Sequence, residues 1–246
     1  SKGERYPPVT LTADPVKDCT AQQQPFPPTG DQGVVAAGPL PTAIYPEYLT
    51  DPNIAICPSD ANETTDTLVN PVTDEPDLHI ACAGNVRGMA AIDSSYIYLG
   101  YVNDRIDNVG PNQHPQTNLS GLAGIVGSSI SGEGPTQLVL GLQQVLAPFL
   151  SNNLQGAVDL ADSDLKVGAP NGNGAGDTIY RLREGIERFL ITDINNPAAS
   201  AKAQSELWIM ADTLAIEPSA YNHVPGGSNI LFLDGHVDYQ RYQEIG

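Results

Sequence analysis

The strongest pattern along the chain lies near its C-terminus. The apolar run Ile230-Leu231-Phe232-Leu233 stops at Asp234-Gly235, and a second run starts at His236-Val237. Two such runs joined by Asp-Gly predict a β-hairpin, because both turn residues tolerate φ > 0. Counting outward from the turn pairs Leu233 with His236, Phe232 with Val237, Leu231 with Asp238 and Ile230 with Tyr239. Upstream, Leu207-Trp208-Ile209-Met210 predicts a strand, and 90–102, rich in aromatic and β-branched residues, predicts another. Residues 45–57 read as a short helix or turn over Pro46-Glu47-Tyr48-Leu49 and a strand ending at Cys57.

Helical periodicity appears in two places. Residues 135–147, opened by Pro135, carry Leu138, Val139, Leu142, Val145 and Leu146 on one face, and Pro148 should kink or stop the helix. Residues 178–191 place Ile179, Leu182, Ile186 and Phe189 on one stripe behind an Asp177 cap, with Arg183–Glu187 and Glu184–Arg188 four apart. A short Ala-rich helix is expected over 198–205. Between these elements the chain is polar. Segments 58–77, 103–134 and 151–176 read as loops, the last ending in an Asn/Gly-rich stretch. Residues 1–44 are rich in Pro and Gly, an extended segment with one short strand near Val9–Leu11. The remainder, 45–246, reads as one globular domain. The order of elements predicts an α+β fold, an antiparallel sheet backed by helices with long loop insertions.

Composition narrows the possible partners. The chain has 246 residues, enough to bury a core without a metal or disulfide. Its 29 acids against 11 bases give a net charge of −18, which argues against nucleic acid and against an anionic membrane surface. With 24 Gly, 21 Pro and only 16% charged residues, it resembles loop-rich secreted proteins in composition. No run of about 20 apolar residues exists to span a bilayer. Ser1-Lys2-Gly3-Glu4-Arg5 is polar and unlike a signal peptide. Of three cysteines, Cys57 and Cys82 form the favoured disulfide, both beside predicted strands with a loop between them. Cys19–Cys57 is the alternative.

Four segments, in order, carry a family resemblance. Tyr45-Pro46-Glu47-Tyr48-Leu49 with Ile56-Cys57-Pro58-Ser59-Asp60, then Ser95-Tyr96-Ile97-Tyr98-Leu99-Gly100, then 177–196, then His223 through Asp234-Gly235-His236-Val237 resemble bacterial prepilin-like proteins. These are the type IV pilins and type II secretion pseudopilins, with their C-terminal His-x(9)-Asp-Gly signature. Here ten residues, not nine, separate His223 from Asp234. The resemblance implies a pilin-like globular domain. It would be a structural subunit of an extracellular or cell-surface pilus or pseudopilus filament in bacteria, assembling with copies of itself or with other pilin-like subunits, without catalysis. Such proteins begin with a long apolar helix that is not among these residues. The expectation is that it was removed or that the protein works without it.

Two clusters are candidate metal sites. Asp159, Asp162, Asp164, Asn171, Asn173 and Asp177 offer hard oxygens, with Asn171, Asn173 and Asp177 at positions 1, 3 and 7 of a calcium-like loop. Position 12 is Leu182, not the bidentate acid of an EF-hand. Secretion-type pseudopilins bind calcium in loops, so the resemblance implies Ca²⁺ here. His223, Asp234, His236 and Asp238, with Asp212 nearby in sequence, form the second cluster. Its competing reading is a turn made by Asp234 with His236 packed beside it. Arg181, Arg183 and Arg188 on the predicted helix are candidate contacts to a neighbouring subunit's carboxylates. No Gly-x-Ser-x-Gly elbow, P-loop or dinucleotide fingerprint is present. The alternative function is a secreted glycan- or peptide-binding module that uses Tyr96, Tyr98 and Tyr101.

Overall fold

The computed structural model describes residues 5–13, 17–18, 24–25, 33–60, 63–82, 87–107, 113–122, 132–190, 204–213, 222–223 and 226–241. In chain order the elements are β1 (Val9–Leu11), β2 (Lys17–Asp18), β3 (Gln24–Pro25), β4 (Val35–Pro39), β5 (Val69–Asn70) and β6 (Glu75–Pro76). Then come α1 (Ile92–Ser95), β7 (Tyr96–Tyr98), β8 (Gln116–Asn118), β9 (Glu133–Pro135), α2 (Thr136–Leu150) and α3 (Leu154–Ala161). The chain closes with β10 (Leu165–Lys166), β11 (Thr178–Ile179), β12 (Trp208–Asp212), β13 (Gly227–Phe232) and β14 (Val237–Arg241). Among the described residues every strand pair is antiparallel, and the fold is α+β. Two compact units share the chain: Ser1–Tyr6 with Tyr101–Leu207, and Pro7–Gly100 with Trp208–Gly246.

The second unit is built on the four-stranded sheet β14-β13-β12-β7. Its hairpin forms where the sequence places it, but one residue out of the expected register. Leu231 pairs with Val237, Ile230 with Asp238 and Asn229 with Tyr239. The cause is Gly235, at φ +89°. A left-handed residue at the third loop position makes a three-residue loop, Leu233-Asp234-Gly235. The Gly235 N–H donates to the Phe232 carbonyl at 2.9 Å, and the Phe232 N–H to the His236 carbonyl at 3.0 Å.

The core of this unit gathers Ala55, Ile56, Leu68, Leu78, Ala91 and Ile92, with Tyr96 and Met210 packed against it. The strand expected to end at Cys57 is instead a 3-10 turn, Pro52–Ala55, capped by the Asp51 carboxylate. The strand expected over 90–102 shrinks to β7, because Ile92–Ser95 are helical. Strand β1 lies where the sequence placed it, and it pairs with β4.

In the first unit, α2 forms over the expected stripe, with Val139 and Val145 buried. It runs two residues past Pro148, whose carbonyl then accepts from the Ser151 and Asn153 amides at 3.1 and 2.8 Å. The loop expected over 151–176 contains α3. The Asn153 side chain caps this helix at the Gly156 amide, and Leu154, Ala157 and Ala161 are buried at helical spacing. Gly141 of α2 presents no side chain toward Ile179 and Leu165; a Cβ there would lie 3.3 Å from the Ile179 Cδ1.

The helix expected over 178–191 is absent. Thr178–Ile179 are β11, Arg181 and Arg183 make isolated bridges to Tyr101 and Arg5, and only Ile186–Phe189 turn as 3-10. Gly185 at φ +73° ends the extended stretch. The apolar stripe itself is real, since Ile179, Leu182 and Ile186 are each at most 1% exposed. They reach the core from an extended chain followed by a tight turn. The helix expected over 198–205 lies largely outside the described residues. Among the described residues, no helix is long and apolar enough to cross a membrane.

Candidate functional site

The Cys57–Asp60, Ser95–Tyr96 and His223–Asn229 segments, remote in sequence, meet in the second unit. Ser95 closes α1 and is fully enclosed. Its hydroxyl accepts from the Cys57 amide and donates to the Asp60 carboxylate, each at 2.9 Å. Its carbonyl accepts from the Asn222 amide group at 2.6 Å and from the Thr213 N–H at 2.9 Å. One residue therefore ties the Cys57 loop, the end of β12 and the His223 loop together.

On the other side lies Asp212, the last residue of β12, with only 5% of its side chain exposed. Its Oδ2 accepts from the Asn229 backbone and side-chain amides, both at 2.8 Å. The His223 Nε2 lies 3.0 Å from the same oxygen, 3.1 Å from Asn229 Nδ2 and 3.8 Å from Cys57 Sγ. All three groups meet a single ring nitrogen. In a nucleophilic triad the imidazole bridges nucleophile and carboxylate through opposite nitrogens, so that one atom takes the proton while the other is held. Among the described residues, the partners of His223 all meet Nε2, so the contacts join segments and do not form that relay.

Beside this cluster a pocket of about 520 Å³ is lined by Ile54, Ile56, Cys57, Pro58, Asp60 and Tyr96, among others. Burial, followed by the neighbouring Cys57, Asp212 and Asp60 groups, pushes the Tyr96 hydroxyl up to about 12. The pocket wall therefore presents a neutral phenol throughout the ordinary pH range.

The Cys57–Cys82 disulfide is not formed. Cys57 is a buried free thiol held beside His223, while Cys82 is disulfide-bonded. Cys19 lies outside the described residues.

The predicted hairpin cluster divides. His223 joins Asp212 and Asn229, at the end of β13 away from the turn. Asp234 accepts from the His236 backbone N–H at 3.1 Å and meets its ring Nδ1 at 2.5 Å. These contacts hold the Asp234 carboxyl below the usual carboxylate range, the backbone bond first. The His236 ring stacks on Phe232 with centroids 4.4 Å apart. Asp238 accepts from the Gln240 side chain at 2.6 Å.

The acidic and amide residues of 159–177 are likewise dispersed among protein partners. Asp159 accepts from Gln155, Asp162 from Arg5, and Asp164 from the Arg181 amide and the Arg183 guanidinium. Asp177 faces Lys166 at 3.2 Å. Bonds from Thr178 and then Lys166 lower its carboxyl. Asn171 gives its backbone N–H to the Gly168 carbonyl at 3.0 Å. Asn173 is a buried brace: it donates to the Val102 carbonyl and to Asp104, and it accepts from the Tyr180 amide at 2.7 Å. Among the described residues, no group of three or more His, Cys, Asp or Glu is placed to hold one metal ion.

The arginines do not form an exposed row. Arg181 is 1% exposed and donates to the Tyr6 carbonyl at 2.9 Å. Arg183 pairs with Asp164 at 3.1 Å and lies over the Tyr180 ring, while Arg188 is exposed. Of the tyrosines, Tyr96 is half-buried in the pocket wall, and the other two offer no stacking platform. Tyr98 and Tyr101 are buried, their hydroxyls donating to the Pro7 and Leu160 carbonyls.

Sequence reasoning missed Ser95, Asp60, Asn222 and Asn229 as partners in the cluster. Ser95, Asp60 and Asn229 sit inside the segments that carry the resemblance, and that position is the signal available in the sequence. No family model, curated protein or solved structure matches this chain.

Proposed function

We propose that this protein is a structural subunit, a pilin-like domain that assembles with copies of itself outside a bacterial cell, and that it performs no catalysis. The observation carrying this reading is the Ser95–Asp212–His223 cluster. The residues by which the chain resembles prepilin-like proteins are spent on joining segments of one sheet. The described partners of the imidazole gather at one nitrogen, Nε2, which can donate or accept but not both, rather than at the two opposite nitrogens that a nucleophilic relay uses. A motif with an internal bracing role suits a protein whose work is done by its outer surfaces. Copies that meet head to tail through unlike patches propagate without closing, which yields a filament.

The test is electron microscopy of the purified full-length protein over a range of ionic strength, with and without calcium. Filaments are expected. Monodisperse monomers under every condition, together with turnover of a small molecule that is lost in Cys57→Ser, would overturn the reading.

A further inference from the structure

Strand β14 is the outer strand of the four-stranded sheet, and all five of its residues are exposed. We propose that two copies of this chain join through β14, antiparallel about a twofold axis at Tyr239, to make one continuous eight-stranded sheet. The proposal rests on the reading of a self-assembling subunit and adds to its head-to-tail contact a second, closed one, in which the same edge of two copies meets itself.

The hydrogen-bonding phase of the edge sets the register. The Phe232 N–H bonds the His236 carbonyl, so in the antiparallel ladder the bonded pairs that follow are Ile230/Asp238 and Ser228/Gln240. The N–H and C=O groups of Val237, Tyr239 and Arg241 then point away from β13. A twofold axis at Tyr239 sets Tyr239 opposite its own copy and Val237 opposite Arg241, so all three outward residues fall in hydrogen-bonded pairs. The side chains agree with that register. Asp238 lies opposite Gln240 of the second copy, and no like charges face each other. An axis at Asp238 would oppose two carboxylates, and only the axis at Tyr239 pairs every outward residue of β14 with another residue of β14.

Two features make this edge sticky. Val237 and Tyr239 are 60% and 42% exposed, and residues two apart share one face of a strand. Gly227 leaves room for the Tyr239 ring, since any Cβ there would lie 2.3 Å from the phenol oxygen. Three of the devices that blunt an edge are missing from β14: it has no Pro, no Lys and no register shift against β13. Its one acid and one base, Asp238 and Arg241, cancel, on a chain of net charge −18. Two copies repel each other least where their approaching surfaces are neutral.

Sedimentation equilibrium of the full chain tests the contact. A reversible species of twice 26.0 kDa is expected. Gln240→Lys creates two symmetry-related pairs with Asp238 and should tighten the dimer by about three- to tenfold. Gln240→Glu should loosen it by about as much. Val237→Pro removes an outward N–H while leaving the β13 ladder its bonds, and should weaken the dimer more than either. Circular dichroism matching the parent establishes that each variant folds. A mass of 26.0 kDa throughout, or a dimer indifferent to all three changes, overturns the proposal. Filaments in micrographs alongside such indifference would sink the β14 contact alone. A variant-sensitive dimer without any filaments would sink the filament reading alone.

Discussion

Replacing Ser95 with Ala removes one oxygen from a fully enclosed position and leaves the β-carbon packing intact. Its cost is readable from the partners it strands. The Cys57 amide, which donates to that oxygen at 2.9 Å, stays buried with its acceptor gone. An orphaned buried donor costs about 1–3 kcal/mol. The Asp60 carboxylate loses a donor at 2.9 Å but keeps the Glu63 amide at 3.1 Å, which adds about 1 kcal/mol. The expected loss is therefore about 2–4 kcal/mol. Urea titration followed by the fluorescence of Trp208, the single tryptophan, reports on this unit because Trp208 opens β12. With a slope of about 2–3 kcal/mol per molar, the midpoint should fall by about 1 M. A midpoint shift under about 0.2 M at unchanged slope would refute the claim that Ser95 ties these segments together.

Three further outcomes are expected. Gly88 sits at φ +44°, where a Cβ would lie 1.8 Å from the Ile80 carbonyl oxygen, so Gly88→Ala should lower the melting temperature sharply; an unchanged melting curve would contradict that close approach. The Tyr96 phenol is raised to about 12 in the fold against about 10 in the open chain, so the folded state holds its proton longer. Stability is therefore full below about pH 10 and declines as pH rises toward about 12, and spectrophotometric titration should show Tyr96→Phe with a smaller decline than the parent. Cys57 is 5% exposed, so a thiol reagent should label it slowly in the native protein and fast in urea; rapid native labelling would place the thiol at the surface.

The sheet's ending was legible because Asp234-Gly235 is a local signal, carried by turn chemistry alone. Its register was not, since whether a loop holds two residues or three depends on where the single left-handed residue falls, here Gly235. The stretch around Ile179, Leu182 and Ile186 shows how a pattern can be right about burial and wrong about conformation. Spacings of three and four fit a helix, yet an extended strand followed by a turn at Gly185 buries the same side chains. Arg181 marks the difference: on the polar side of a helix it would be solvated, whereas here it is enclosed and bonded to Tyr6. The Cys57–His223 contact spans a sequence separation of 166, and no periodicity encodes a partner at that range. The motif segments could be named from the sequence, but their meeting place depends on the pairing of β12 with β7.

That pairing has a consequence for how the chain tolerates change. Tyr98 lies beside Met210, so the polypeptide leaves the sheet after β7 and returns in the adjacent lane. The chain between Gly100 and Trp208 is an insertion between two neighbouring strands, and lengthening such a connection adds only about 0.6 kcal/mol of closure cost per doubling. Splicing the two lanes with a tight Asn-Gly turn would preserve their antiparallel direction. The four-stranded sheet is thus a chassis on which the intervening stretch is replaceable freight.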